Sequence, residues 1–317
     1  VSPTTQEQTM PASPAESARS TEPPLRSRPA RPALEGMSEA RRPTGPILAI
    51  VVTLLIMLLG QLPVAPLATM LPTDSFGGQL LLTSSFLIPM LLFFAWVKFK
   101  EKRPVSSLGF RGGLGRGVVL GAALGLVMTT VTVLVNVAMG TATLGTPTWG
   151  MLLPALVLLI GFAIQASTEE IADRGYLMQA VAPRWGLVAA IVVQTVVFAV
   201  LHGANGGLTW VAWANLCGVS VFLGLWVWVS GSLWGACAFH TVWNWSQGNL
   251  WGAPVSHTRV GTAVGHYTPD EASSALLTGG PFGLEGSVIP LVMFIIGSVV
   301  LVVVGRRRHS PTGRPRV

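Results

Sequence analysis

Eight blocks of apolar residues, each near the length of a membrane crossing, constrain this chain more than any other feature. They run at about 46–70, 79–97, 116–139, 149–168, 186–203, 208–229, 232–250 and 286–304. A hydrocarbon core about 30 Å thick takes about 20 residues of helix to cross. The apolar residues fill blocks of that size and are not scattered as short core elements. The expected fold is therefore all-α, a polytopic membrane helix bundle with about eight transmembrane helices. Composition agrees: 50% of the residues are hydrophobic and 10% charged, where soluble chains carry about 25% charged residues. The mean hydropathy is +0.60.

Loop charge sets an orientation. The linker after the second block holds Lys98, Lys100, Lys102, Arg103, Arg111 and Arg116, the linker after the fourth holds Arg174 and Arg184, and the C-terminal segment adds Arg306, Arg307, Arg308, Arg314 and Arg316. The linkers after the first, third and fifth blocks carry no Lys or Arg, and the one after the seventh carries only Arg259. Basic residues collect at the cytoplasmic face of membrane proteins. An even number of spans with both termini in the cytoplasm is expected, in a plasma membrane and, from the Ala, Gly and Val content, a bacterial one. The net charge of +7 belongs to this membrane pattern and does not imply a nucleic-acid partner; the expected partners are the lipid bilayer and a membrane-associated polypeptide.

Three segments are expected. Residues 1–45 contain eight prolines, six arginines and five glutamates without apolar periodicity, the composition of a disordered cytoplasmic tail. Residues 46–305 form the membrane domain, and 306–317 a basic cytoplasmic tail. Cys217 and Cys237 lie inside apolar blocks and are expected to be buried, reduced thiols.

Ionisable side chains inside spans cost about 2.5–3.5 kcal/mol each on insertion scales, so they are functional candidates by default. Here they gather in one third of the chain. The fourth block ends in Gln165-Ala-Ser-Thr-Glu169-Glu170-Ile-Ala-Asp173-Arg174, the fifth in Phe198-Ala-Val-Leu-His202, and the seventh holds His240-Thr-Val-Trp-Asn244. Glu170 and Arg174, Phe198 and His202, and His240 and Asn244 are each four apart and share a helical face. Each pattern alone has a plainer origin: an ion pair anchoring a helix end, or histidines bonded to carbonyls across the bundle. Brought together, a carboxylate, two imidazoles and a carboxamide are the parts needed to hydrolyse an amide with water. The carboxylate acts as general base, and imidazole and amide donors face the developing oxyanion. A metal route uses the same residues, with Glu169, His202 and His240 as zinc ligands.

Glu169-Glu170-x-x-x-Arg174, Phe198-x-x-x-His202 and His240-x-x-x-Asn244 resemble the three motifs of the CPBP intramembrane peptidases, the CAAX-protease and bacteriocin-processing family, in family order. Gly280-Pro-Phe-Gly283-Leu-Glu285-Gly286, before the last block, resembles bacterial members. The resemblance covers about residues 45–305. It implies Glu169 as general base, His202 as its partner in activating water, His240 and Asn244 as the oxyanion-stabilising pair, and Glu170 with Arg174 as support. It is compatible with a zinc enzyme and with a metal-free glutamate mechanism, of which the metal-free one is favoured. One position departs. Asp173 stands where the family has a large apolar or aromatic residue, which predicts either a differently tuned site or a wetter helix end. A non-catalytic scaffold or immunity-type protein of the same fold is the alternative from another class, and a small-solute transporter a third. The tryptophans near block ends are expected in interfacial belts, with Trp243 and Trp245, which flank Asn244, as candidates to line the pocket.

Overall fold

The computed structural model describes residues 33–308. Its helices are α1 (Pro46–Leu59), α2 (Phe76–Lys100, broken near Ser85), α3 (Leu114–Ala138), α4 (Leu152–Glu170), α5 (Met178–His202), α6 (Trp210–Ser230), α7 (Trp234–Trp245) and α8 (Val288–Arg308). A two-stranded antiparallel ribbon, β1 (Ala142–Leu144) with β2 (Tyr267–Pro269), places Thr143 opposite Thr268.

Among the described residues, five stretches are long and apolar enough to cross a membrane: Phe76–Lys100, Leu114–Ala138, Trp149–His202, Trp210–Ser230 and Val288–Arg308. The expectation of about eight exceeds that number for physical reasons. α1 has 14 residues and α7 has 12, and the stretch Trp149–His202 is 54 residues long. That last stretch is not one straight rod. Gly186 takes φ 84° and ψ 167°, a conformation open to glycine, and the chain folds back there. The proof is a contact. The Arg174 guanidinium lies 5.0 Å from the centre of the Phe198 ring, whereas 24 residues of straight helix would separate them by about 36 Å.

Hydrogen bonds define two ends of the bundle. At one, Arg184 donates to the Thr44 carbonyl (3.4 Å), Leu233 N–H to the Gly109 carbonyl (3.0 Å) and Arg308 to the Val229 carbonyl (3.1 Å). At the other, Gly261 N–H donates to Asp74 (3.0 Å), Gly145 N–H to His266 (3.0 Å) and the Asn249 amide to the Thr262 carbonyl (2.6 Å). The first end carries the basic linkers and the second carries Arg259. Large apolar side chains such as Ile47, Leu153, Ile160 and Val188 point outward, as they must where the solvent is hydrocarbon.

Close packing centres on α3 and α7. Gly117, Gly121 and Gly125 line one face of α3, and a Cβ built on Gly121 would lie 2.2 Å from the Gly235 carbonyl oxygen of α7. Glycine here lets two backbones approach, the usual role of small residues four apart in membrane bundles. Phe222, Phe239, Trp243 and Phe294 fill the space between α6, α7 and α8.

Two expectations are corrected. Part of the segment expected to be a disordered tail is ordered: Ala33–Glu39 is a 3-10 helix, Met37 and Thr44 are buried, and Glu39 pairs with Arg111. Met37 supplies an apolar anchor; residues 1–32 lie outside the described residues, as do 309–317. Cys217 points outward from the bundle, while Cys237 is buried; both are free. Trp243 is a buried residue that lines the cavity beside Asn244, with its indole N–H on Glu285 (3.3 Å).

Candidate active site

Successive helical residues point about 100° apart, so adjacent carboxylates at the end of α4 face different surroundings. Glu170 turns into the bundle and is fully buried; Glu169 turns to a cavity and is nearly so. The helix then widens into a seven-residue π-helical segment, Ile171–Leu177, every residue of which is buried. Such wide turns recur at functional sites. This one lies at the bundle centre, where no face meets solvent.

Glu170 is the hub of the polar floor. Its Oε1 accepts from Arg174 Nη1 (3.1 Å) and from His240 Nδ1 (2.9 Å). Arg174 Nη2 donates onward to Ser220 Oγ (3.0 Å), whose hydroxyl donates to Gln194 Oε1 (2.9 Å). Four helices are tied together at one level. The i,i+4 pairing of Glu170 with Arg174 is the one expected, but it sits in the interior and not at a membrane boundary. A buried pair of this kind needs its remaining donors and acceptors filled; Ser220 and His240 fill some of them, while Glu170 Oε2 and Arg174 Nε stand without a hydrogen-bond partner.

Because Nδ1 of His240 donates to a carboxylate, Nε2 is the nitrogen turned to the cavity. It lies 3.6 Å from Glu169 Oε2, beyond hydrogen-bond range. That Glu169 oxygen is buried without a partner, and Oε1 has a long contact to the Gln165 amide at 3.4 Å. Asn244 follows one turn along α7 from His240, and its Oδ1 is also buried and unpartnered. His202 ends α5. Its Nδ1 lies 2.8 Å from the Phe198 carbonyl, which can only accept, so Nδ1 carries the proton and Nε2 is left with a lone pair.

Glu169, His202, His240 and Asn244 all line one cavity of about 470 Å³. The structure thus brings together every residue singled out as catalytic, with Glu170 and Arg174 directly behind. Asp173 also lines the cavity, is 2% exposed, lies 3.6 Å from Arg174 and keeps Oδ1 unpartnered. The alternative of a wetter helix end is therefore corrected: Asp173, four residues after Glu169, shares its face and is buried against the cavity. Sequence reasoning missed Glu285 as a cavity residue. Its carboxylate accepts from the Ser256 backbone N–H (2.9 Å) and hydroxyl (2.7 Å) and from Trp243, which fastens the 252–287 loop across the site. The signal was a lone acid in a glycine-rich segment, Gly279-Gly-Pro-Phe-Gly-Leu-Glu285. Gly283 there has φ 89°, and a Cβ on it would lie 2.0 Å from the Pro254 carbonyl oxygen.

The suggested zinc ligands fit poorly. Among the described residues no group of three His, Cys, Asp or Glu side chains is arranged to hold a metal ion. The Nε2 atoms of His202 and His240 are the nitrogens left without a protein hydrogen bond, but with Glu169 they are not arranged as a group of three ligands.

Residues 149–246 match the family model described as type II CAAX prenyl endopeptidase Rce1-like. Over that segment, about a third of its length, the chain is similar to CAAX-type proteases. The matched segment begins just before α4 and ends just after Asn244, so it contains all three motifs. Searches of curated proteins and of solved structures found no match.

Proposed function

We propose that the chain is an intramembrane endopeptidase that hydrolyses membrane-associated polypeptides with water activated by Glu169 and His202. The observation that carries this reading is the floor of the cavity. Glu169 and His240 face each other there, each held from behind, with Asn244 and His202 on the same walls. The similarity of residues 149–246 to CAAX-type endopeptidases supports a protease; the assignment of roles is ours.

In this mechanism a water in the cavity gives a proton to the free oxygen of Glu169, while its second hydrogen is accepted by His202 Nε2. The water oxygen attacks the scissile carbonyl carbon. The resulting oxyanion receives hydrogen bonds from the Asn244 amide and from His240 Nε2 when that nitrogen carries its proton. Glu169 then passes its proton to the leaving amine as the C–N bond breaks. Glu170 does not touch substrate. It fixes the imidazole of His240, so that the second nitrogen faces the oxyanion position. No step is assigned to a metal, since the residues present do not form a ligand set.

The test compares the N-termini of membrane proteins in cells carrying the wild type and Glu169→Gln. General-base catalysis contributes about 10²–10⁴-fold, so cleavage products of the enzyme should vanish from the variant while the protein stays in the membrane. Identical sets of termini would overturn the peptidase reading. Metal analysis of the purified protein, with chelation and zinc add-back, tests the metal-free route separately. Zinc whose removal and return switch cleavage off and on would overturn it.

A further inference from the structure

Among the described residues, the exposed and half-buried polar residues that line the cavity lie at the end of the bundle away from the basic linkers. The cavity mouth is formed by the ends of helices and by loops at the Arg259 end: Gln61 after α1, Thr73 before α2, Asn205 after α5, and Ser256 and Thr258 in the 252–287 loop. Thr73 and Thr258 are exposed, Gln61, Asn205 and Ser256 are half-buried, and Glu169, Asp173 and His240 below them are buried. Accessibility therefore falls from the Arg259 end inward. Beneath Asp173 the path is closed. Arg174, Tyr176, Leu177 and Met178 are all fully buried, and none of Lys98, Lys100, Lys102, Arg103, Arg111 or Arg184 lines the cavity.

Charge identifies the side of the membrane. The closed end holds Arg41, Arg42, Lys98, Lys100, Lys102, Arg103, Arg111, Arg184 and Arg306 to Arg308, whereas among the described residues the open end holds Arg259 alone with Asp74, Asp270, Glu271 and Glu285. Excess Lys and Arg in short loops marks the cytoplasmic face. An asymmetry this large leaves one orientation.

We propose that the site is reached from the non-cytoplasmic side and takes a polypeptide segment at the outer end of a transmembrane span. The word substrate rests on the peptidase reading; the side of access does not. The walls fit such a segment. Leu58, Phe86, Leu201 and Leu216 are apolar and stand above the polar floor, so the apolar end of a span is held while its emerging backbone reaches Glu169. A lipidated C-terminus anchored at the basic leaflet would meet the closed end.

Impermeant charged methanethiosulfonate reagent decides the side. In a Cys217→Ala background, His202→Cys and Ser256→Cys should react fully in intact cells, as the outer control Glu271→Cys does. They should not react in inside-out vesicles, where Lys98→Cys reacts. Reaction of His202→Cys only in inside-out vesicles overturns the proposal, as does silence of both His202→Cys and Ser256→Cys from either side, since the mouth is then closed. Exchange of the two controls overturns it as well. The termini lost in Glu169→Gln cells supply the second reading: sites on non-cytoplasmic flanks of spans support the proposal, and sites on cytoplasmic flanks overturn it. Outside labelling with no termini lost would sink the peptidase reading alone.

Discussion

At the scale of single residues, two adjacent glutamates separate chemistry from architecture, and substitution can tell them apart. Glu169 has one free buried oxygen and no ion-pair partner closer than 3.6 Å. Glu169→Gln keeps size and shape, so the melting temperature should hardly move, while turnover falls by about 10²–10⁴. Glu170 is different. Glu170→Gln removes the nearer of the two carboxylates beside buried Arg174 and leaves Asp173 at 3.6 Å, and breaking such a buried pair costs about 3–5 kcal/mol. A clear fall in melting temperature is expected in detergent. Equal stability of the two variants would contradict the division of labour. His240→Ala and Asn244→Ala should each lower kcat by about 10²–10³, the effect of losing one oxyanion donor, with KM little changed; a loss confined to KM would remove them from that role. Much of this site was legible because its residues are polar where the sequence is apolar, and because helical spacing of four pairs them. Asp173 was legible as a departure but not as a buried cavity residue. Its spacing of four from Glu169 puts it on the same helical face, but nothing in the sequence shows that this helix end lies buried inside the bundle.

At the scale of elements, the spans were legible as blocks, while the way they pack was not. The break between the fourth and fifth blocks was visible as Pro183, Arg184 and Gly186 interrupting an apolar run, and the chain does turn at Gly186. The ordered 3-10 helix Ala33–Glu39 was hidden in a composition typical of disorder, because one buried methionine and one ion pair suffice to dock it. The α3 glycines were hidden in plain sight, since the same residues occur freely in lipid-facing helix. Their role gives a prediction. Gly121 meets the α7 backbone at Gly235, so Gly121→Leu must push apart the helix that carries His240 and Asn244. Overpacking costs about 1–3 kcal/mol, and thermal unfolding in detergent should show that loss. Gly115→Leu is the control, because nothing lies within 4 Å of a Cβ there; equal destabilisation by both would refute the close approach.

At the scale of the whole molecule, the remaining question is how many times the chain crosses, and the contacts at the two ends argue for eight. Residues 44, 101–112, 184, 229–233 and 308 meet at the basic end, and residues 74, 145, 249 and 261–266 at the other. Following the chain, α1 leaves the basic end, α2 returns, α3 leaves, and α4 with its π-helical extension returns to Arg184. The part of α5 after Gly186 leaves again, α6 returns, α7 leaves and α8 returns. The doubtful crossings are the short ones. Yet α7 starts where Leu233 bonds Gly109 and is prolonged by the π-helical segment Ser246–Leu250 to Asn249, which bonds Gln79 and Thr262 at the other end. Seventeen residues rise about 25 Å, within a few ångströms of the hydrocarbon thickness, a mismatch that local thinning of the bilayer absorbs at fractions of a kcal/mol per Å. Polar side chains can lie along α7 because they face the cavity and not lipid. Reporter fusions after residues 75, 145 and 260 should therefore all read non-cytoplasmic, and fusions after 110 and 308 cytoplasmic. If α7 were a re-entrant element, the fusion after 260 would read cytoplasmic and the one after 308 non-cytoplasmic. That single pair of readings distinguishes eight crossings from seven, and a cytoplasmic result after 260 would also reverse the face to which the cavity opens.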